Sequence, residues 1–270
     1  MKYRSSIKTS LEILRVLAEN KQYAQYDLPK AISKDYRTVL RHLKTLEYNH
    51  LIRLQKTEPA SKGGKDRKIY ALTTEGLIMA LMLEESWAKI DKIARKHANL
   101  LPLIFGKWEF FEKHGLKNLI IEFLRKTIQN ESPKLAYRLL TFETLKVKRE
   151  KGKTENQMIL DFLTQIFGSK KVAERRLSEI RKAGEKISDA IEEMCRDDIT
   201  RFVLWELPSS LESLEKYGSE FFPKFLSILK KDKELSSFIS SEFERLEKQY
   251  EEYLKNIRSW KKMWQEIPSN

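Results

Sequence analysis

At 270 residues and 41% hydrophobic content, the chain is long enough for one large or two ordinary domains with a buried core. Charged residues make up 34% and the formal net charge is +13, a field that attracts polyanions, nucleic acid first and an anionic membrane surface second. One cysteine, Cys195, excludes an internal disulfide and a cysteine-built zinc cluster and suits a reducing interior, while 9 Gly and 7 Pro argue against Gly-rich sandwiches and phosphate-cradling loops.

The opening, MKYRSSIKTSLEILRVL, is interrupted by Lys8, Glu12 and Arg15, so no export signal is expected. The longest apolar run, GLIMALML at 76–83, is far shorter than the roughly 20 residues of a membrane helix. A cytoplasmic protein without a membrane span is the expectation. Ile7, Leu11, Leu14 and Leu17 or Ala18 recur at three- and four-residue intervals and predict a first amphipathic helix. A short second helix fits Asp27 to Ile32, with Asp27 as N-cap and Pro29 in the first turn, where no intrahelical N–H is needed. The third starts at Ser33 or Asp35 and runs from about Tyr36 to Tyr48. At 100° per residue Val39, Leu43 and Leu46 fall on one side and Arg37, Arg41, Lys44 and Tyr48 on the other, flanked by Thr38 and Thr45.

Residues 53–68 alone combine alternation, turn residues and a Gly-Gly pair, so strands are expected there, in LIRLQKT and RKIYALT on either side of EPASKGGKD. Everything else reads as helix, for a mainly α protein. Basic density sits at the front: residues 1–76 hold 16 Lys and Arg against 8 Asp and Glu, a net +8.

RTVLRHLKTLEYNHLI (37–52), the hairpin and IYALTTEGL (69–77) together resemble the winged helix-turn-helix of the MarR, ArsR and PadR groups of transcriptional regulators. Thr38, Val39, Arg41, His42, Leu43, Leu46, Glu47, Leu51, Ile52, Tyr70, Leu72, Thr73 and Gly76 occupy the positions of that pattern. The likeness covers residues 5 to about 80. His50 stands where those groups carry glycine, in a turn that favours a left-handed residue, a conformation Asn49 or His50 can adopt at modest cost.

The resemblance implies that the helix beginning near Tyr36 enters a DNA major groove. Arg37 and Arg41 are then the candidates for base edges, Arg41 foremost, because a guanidinium can donate two parallel bonds to guanine. Lys44 would meet a phosphate, Thr38 a base or a phosphate, and Lys34 and Tyr36 the phosphate at the helix entrance. Lys62, Lys65, Arg67 and Lys68, around Gly63 and Gly64, would follow the backbone or enter a minor groove. The expected function is a dimeric, sequence-specific regulator bound to double-stranded DNA. A second reading makes the winged helix an assembly or scaffold module of a nucleoprotein complex, binding RNA or origin DNA by shape.

The expected domains are 1–76 for DNA binding, 77–98 as a linker helix begun at about Thr74, and 99–270 as an all-helical dimerisation or effector part. Helices are predicted near 115–129, 133–150, 155–167, 170–195, 197–206, 209–231 and 234–266, with Ser132 and Thr154 as start signals and Asp197–Asp198 as an N-cap signal. In the last helix Phe243, Leu246, Tyr250, Tyr253, Ile257, Trp260, Trp264 and Ile267 keep a three–four spacing, a coiled-coil seam. That seam fits packing in the monomer, a homodimer interface, or a membrane surface beside Lys261 and Lys262. The aromatics of LPLIFGKWEFFEKHG (102–115) fit either a core or a pocket for an unknown small effector. His42, His50, His97 and His114 lack metal-ligand spacing and no nucleophile motif is present, so no catalysis, metal or cofactor is assigned.

Overall fold

The computed structural model describes residues 2–59, 66–129, 164 and 170–266. Ile13, Leu14, Leu17 and Ala18 are wholly buried along α1 (Lys2–Asn20), as their spacing requires. Lys21, at φ 63°, ends that helix, and the chain enters β1 (Gln22–Ala24). α2 (Leu28–Ala31) and α3 (Tyr36–Tyr48) follow, then β2 (Ile52–Glu58) and β3 (Arg67–Leu72). The strands form one antiparallel sheet of order β1-β3-β2. β3 pairs Tyr70 with Tyr23 on one side and with Leu54 on the other, and β2 bulges between Leu54 and Lys56.

The hairpin lies where alternation places it, but β1 falls outside 53–68, in a stretch where no strand was expected. Three residues carry no readable period; the strand exists because the second edge of β3 offers backbone groups that burial leaves nothing else to satisfy. Asp27 does precede α2, yet its side chain makes no cap bond there.

The expected linker helix at 77–98 is three short helices: α4 (Thr74–Ala80), α5 (Glu84–Trp87) and α6 (Ile90–Lys96). Every residue of α4 is buried, because GLIMALM is apolar on all sides and cannot leave one face in water. Leu83 then turns extended, and Ser86 Oγ donates to the Ala80 carbonyl (2.7 Å), which also accepts from the Leu83 N–H (3.4 Å). α7 (Trp108–Lys113) and α8 (117–129) are separated by Gly115 at φ 71°. Phe105, Trp108 and Phe111 are buried, with Phe105 and Trp108 edge to face, so the aromatic run packs as core.

α9 (Lys170–Arg201) continues into a π-helical turn at Phe202–Glu206. Asp197 and Asp198 therefore lie inside a continuous helix and cap nothing; the hydrogen-bond ladder runs past them. α10 (Leu207–Ser209), α11 (Leu211–Tyr217) and α12 (Phe221–Leu229) replace the single helix expected at 209–231. The interruption is Gly218, at φ 89°, a conformation that ends α11. α13 (Lys233–Glu266) is started by Asp232, whose carboxylate accepts from the N–H groups of Glu234 and Leu235.

The chain forms two compact units, Met1–Thr200 and Arg201–Asn270, so the boundaries expected at 76 and 98 both fall inside the first. In the second, Val203, Leu204, Trp205, Phe225, Leu229, Leu235 and Ile239 are buried, and Trp205 meets Phe222 and Phe243 edge-on. Glu242, buried, accepts from Arg201 (3.2 Å) and Arg245 (2.9 Å). The helices expected at 133–150 and 155–167, with Ser132 and Thr154, lie outside the described residues apart from position 164. Among the described residues no helix is long and apolar enough to cross a membrane.

Candidate nucleic-acid interface

The third helix is built as a two-sided object. Asp35 caps it, its Oδ1 accepting from the Thr38 N–H at 2.9 Å; the Thr38 side chain first and this backbone bond second hold the carboxyl below its ordinary range. Val39, Leu43 and Leu46 are fully buried, and His42, also buried, is hydrogen-bonded to Ser10 of α1 at 2.9 Å. Arg37, Arg41 and Lys44 are exposed on the opposite side, Thr38 is half-buried beside them, and Tyr48 stands exposed at the last turn. Thr45 uses its hydroxyl on the Arg41 carbonyl (3.2 Å).

What fixes the pitch of this helix is the way it is left. His50 is left-handed at φ 56°, in the place where the resembling groups use glycine. The Leu51 N–H returns to the Leu46 carbonyl (2.9 Å), and the Leu51 carbonyl receives the Thr73 N–H (3.2 Å). Thr73 Oγ1 donates to the His50 carbonyl (2.7 Å) and accepts from the Gly76 N–H (3.1 Å), capping α4. Gly76 lies so near that a Cβ there would stand 1.8 Å from the Leu51 oxygen. The segment Leu-Thr-Thr-Glu-Gly at 72–76 thus clamps the end of α3 to the start of α4.

At the opposite end, Tyr36 stacks on Tyr26, centroids 5.5 Å apart and rings nearly parallel, and Gln25 donates to the Tyr36 hydroxyl. Tyr26 and Tyr36 are both partly exposed at the mouth of α3. Burial, the hydrogen bond to Tyr36 and nearby negative charge push the Tyr26 phenol up. Gln25 and Tyr26 carry no periodic signal, so only the fold adds them to the surface. Lys34 is exposed just before the cap.

The hairpin's charges are partly spoken for. Arg67 pairs with Asp27 (2.6 Å) and, more loosely, with Glu58 (3.9 Å), strapping β3 to the loop before α2. Lys56 holds Glu58 at 2.7 Å and is the main reason its carboxyl sits below the ordinary range. Such exposed pairs are worth about 0–1 kcal/mol, so a phosphate can compete for Arg67. Lys68 is exposed; it and Lys44 pull the half-buried Glu47 carboxyl down against the stronger upward push of burial. Lys62 and Lys65 lie outside the described residues.

Elsewhere in the first unit Glu192 of α9 accepts from the Thr74 N–H and hydroxyl (3.1 and 3.2 Å) and stands 3.8 Å from Arg53, beside a shallow polar depression lined by Asn99, Asp189, Glu193 and Arg196. Among the described residues no three His, Cys, Asp or Glu are grouped as a metal site. Comparison with known proteins finds no matching family, no matching curated protein and no matching solved structure.

Proposed function

We propose that this protein is a winged helix-turn-helix regulator that binds double-stranded DNA sequence-specifically as a homodimer. The observation that carries the reading is α3: a cationic face of Arg37, Arg41 and Lys44 turned outward while the other face is wholly buried. The element order α1-β1-α2-α3-β2-β3 with a β1-β3-β2 sheet supports it, since a wing then follows the exposed helix. A 13-residue helix is about 20 Å long and suits a major groove about 12 Å wide.

In this reading Arg41 and Arg37 donate to guanine edges, and Lys44, Thr38, Lys34 and Tyr36 meet the flanking phosphates. Lys68 and Arg67, with Lys62 and Lys65 of the sequence between β2 and β3, neutralise the backbone beside the groove. The test is selection of bound fragments from random duplex DNA at about 150 mM salt, where screening suppresses unspecific attraction. A palindromic site with half-sites about one helical turn apart is expected. Recovery of unrelated fragments alone would refute sequence-specific binding and favour a scaffold that reads shape.

A further inference from the structure

We infer that α13 pairs antiparallel with α13 of a second copy, through the face centred on Tyr250, Tyr253, Leu254, Ile257 and Trp260. This rests on the dimeric part of the reading above and not on its DNA-binding part. α13 is covered only at its start: Leu235, Ile239 and Glu242 are buried, and from Phe243 to Lys261 every residue but half-buried Leu246 is exposed. The large apolar side chains there are 65% exposed at Tyr250, 55% at Tyr253, 50% at Leu254, 38% at Ile257 and 57% at Trp260. They lie at three- and four-residue intervals, so they form one stripe and not a scatter, about 15 Å long from Tyr250 to Trp260. A stripe of this kind marks an interaction surface.

Charge decides the occupant. Residues 243–254 carry Glu244, Glu247, Glu251 and Glu252 against Arg245 and Lys248, a net −2, while 255–262 carry Lys255, Arg258, Lys261 and Lys262 with no acid, a net +4. An antiparallel copy lays each acidic half on a basic one; a parallel copy lays like on like. The register agrees. With the seam at Phe243, Leu246, Tyr250, Tyr253, Ile257 and Trp260, one flanking row holds Glu247, Leu254 and Lys261. Setting Tyr253 against the partner's Ile257 and Tyr250 against the partner's Trp260 puts Glu247 beside the partner's Lys261, twice by symmetry, and Leu254 beside the partner's Leu254 on the axis. In a parallel pair the corresponding flanks bring Gln249 toward the partner's Leu254 and Asn256 toward the partner's Lys261, with no attraction. An anionic membrane would repel the acidic half.

The test is sedimentation equilibrium of the full chain from about 1 to 100 µM. A dimer is expected, weakened by salt because its attraction is between exposed charges. Tyr253→Glu and Ile257→Glu, at exposed positions that leave the monomer's helical circular dichroism and melting unchanged, are each expected to raise the dissociation constant about tenfold or more. Glu247→Lys and Lys261→Glu each weaken association, and the two together restore it. A spin label at Glu244→Cys in a Cys195→Ser background should lie about 30 Å from its copy, against about 10 Å for a parallel pair. A chain monomeric at every concentration, one that binds DNA or anionic vesicles only as a monomer, or a short label distance overturns the inference. A dimer of the stated geometry supports it even if duplex selection recovers nothing.

Discussion

Gly76→Ala tests the clamp that sets the angle of α3. The added Cβ would sit 1.8 Å from the Leu51 oxygen and 2.8 Å from its carbonyl carbon, so Leu51 or α4 must retreat by about 1 Å or more. Neither moves freely. Leu51 is buried and its carbonyl is held by the Thr73 N–H, Ile52 is in register with Leu72, and α4 is buried on every side. Overpacking of this kind costs about 1–3 kcal/mol, and losing the Thr73 bonds to Leu51 and His50 adds about 1 kcal/mol each. The sum, about 3–5 kcal/mol, is a large part of the 5–15 kcal/mol that holds an ordinary domain. Urea unfolding is expected to show a midpoint lowered by about 1 M or more, with hydrogen exchange rising first at β2, β3 and α4. Gly115→Ala is the control: Gly115 is left-handed at φ 71° while Gly76 is helical, and nothing lies within 4 Å of its added Cβ, so only the conformational cost of about 1–2 kcal/mol applies. A loss under 1 kcal/mol for Gly76→Ala, or one no larger than the control, would refute the clamp.

The other predictions separate the roles of individual groups. Arg41→Ala should erase about 1–3 kcal/mol of discrimination between the selected site and random duplex, whereas Lys68→Ala should weaken both alike and reduce the salt slope by about one unit, read by fluorescence anisotropy at several salt concentrations. His97, buried and donating from Nε2 to the Ala18 carbonyl at 2.8 Å, has its imidazole pushed below its ordinary value by burial, outweighing the upward pull of the Ala18 and Leu17 carbonyls. The unfolded chain then binds the proton more tightly, so stability should fall as pH drops below about 6.5, and His97→Gln should flatten that slope in chemical denaturation at pH 7.5 and 5.5. Glu242→Ala should leave the Arg201 and Arg245 guanidiniums without their shared carboxylate. A broken buried pair costs about 3–5 kcal/mol, and because both arginines reach water the expected loss is nearer 2–3 kcal/mol, localised to residues 201–266 by hydrogen exchange.

How legible the molecule was from its sequence differs by element, for reasons that can be named. α3 matches its expected span of Tyr36–Tyr48 because cap, period and charge all act within one helix; Asp35 alone supplies the boundary bond. The hairpin was legible for the same reason, its alternation and its turn being local. A left-handed residue at Asn49 or His50 was expected from a resemblance, and it is His50, but the reason Gly76 is glycine became visible only when Leu51 was seen against it. Gln25, Tyr26 and the Arg67–Asp27 strap join residues up to 40 positions apart, and no window of sequence contains them.

The seam in α13 shows the division most clearly. Its period and charge segregation are properties of one helix and can be counted in the chain alone, as can the cationic face of α3 and the apolar character of residues 76–83. Whether each surface meets water or protein was decided by packing: α4 vanished into the core and broke the expected linker helix, while α13 left its stripe open beyond Glu242. Local patterns depend on neighbours a few residues away, which sequence lists; burial depends on segments far along the chain closing over one another, which only the folded arrangement supplies.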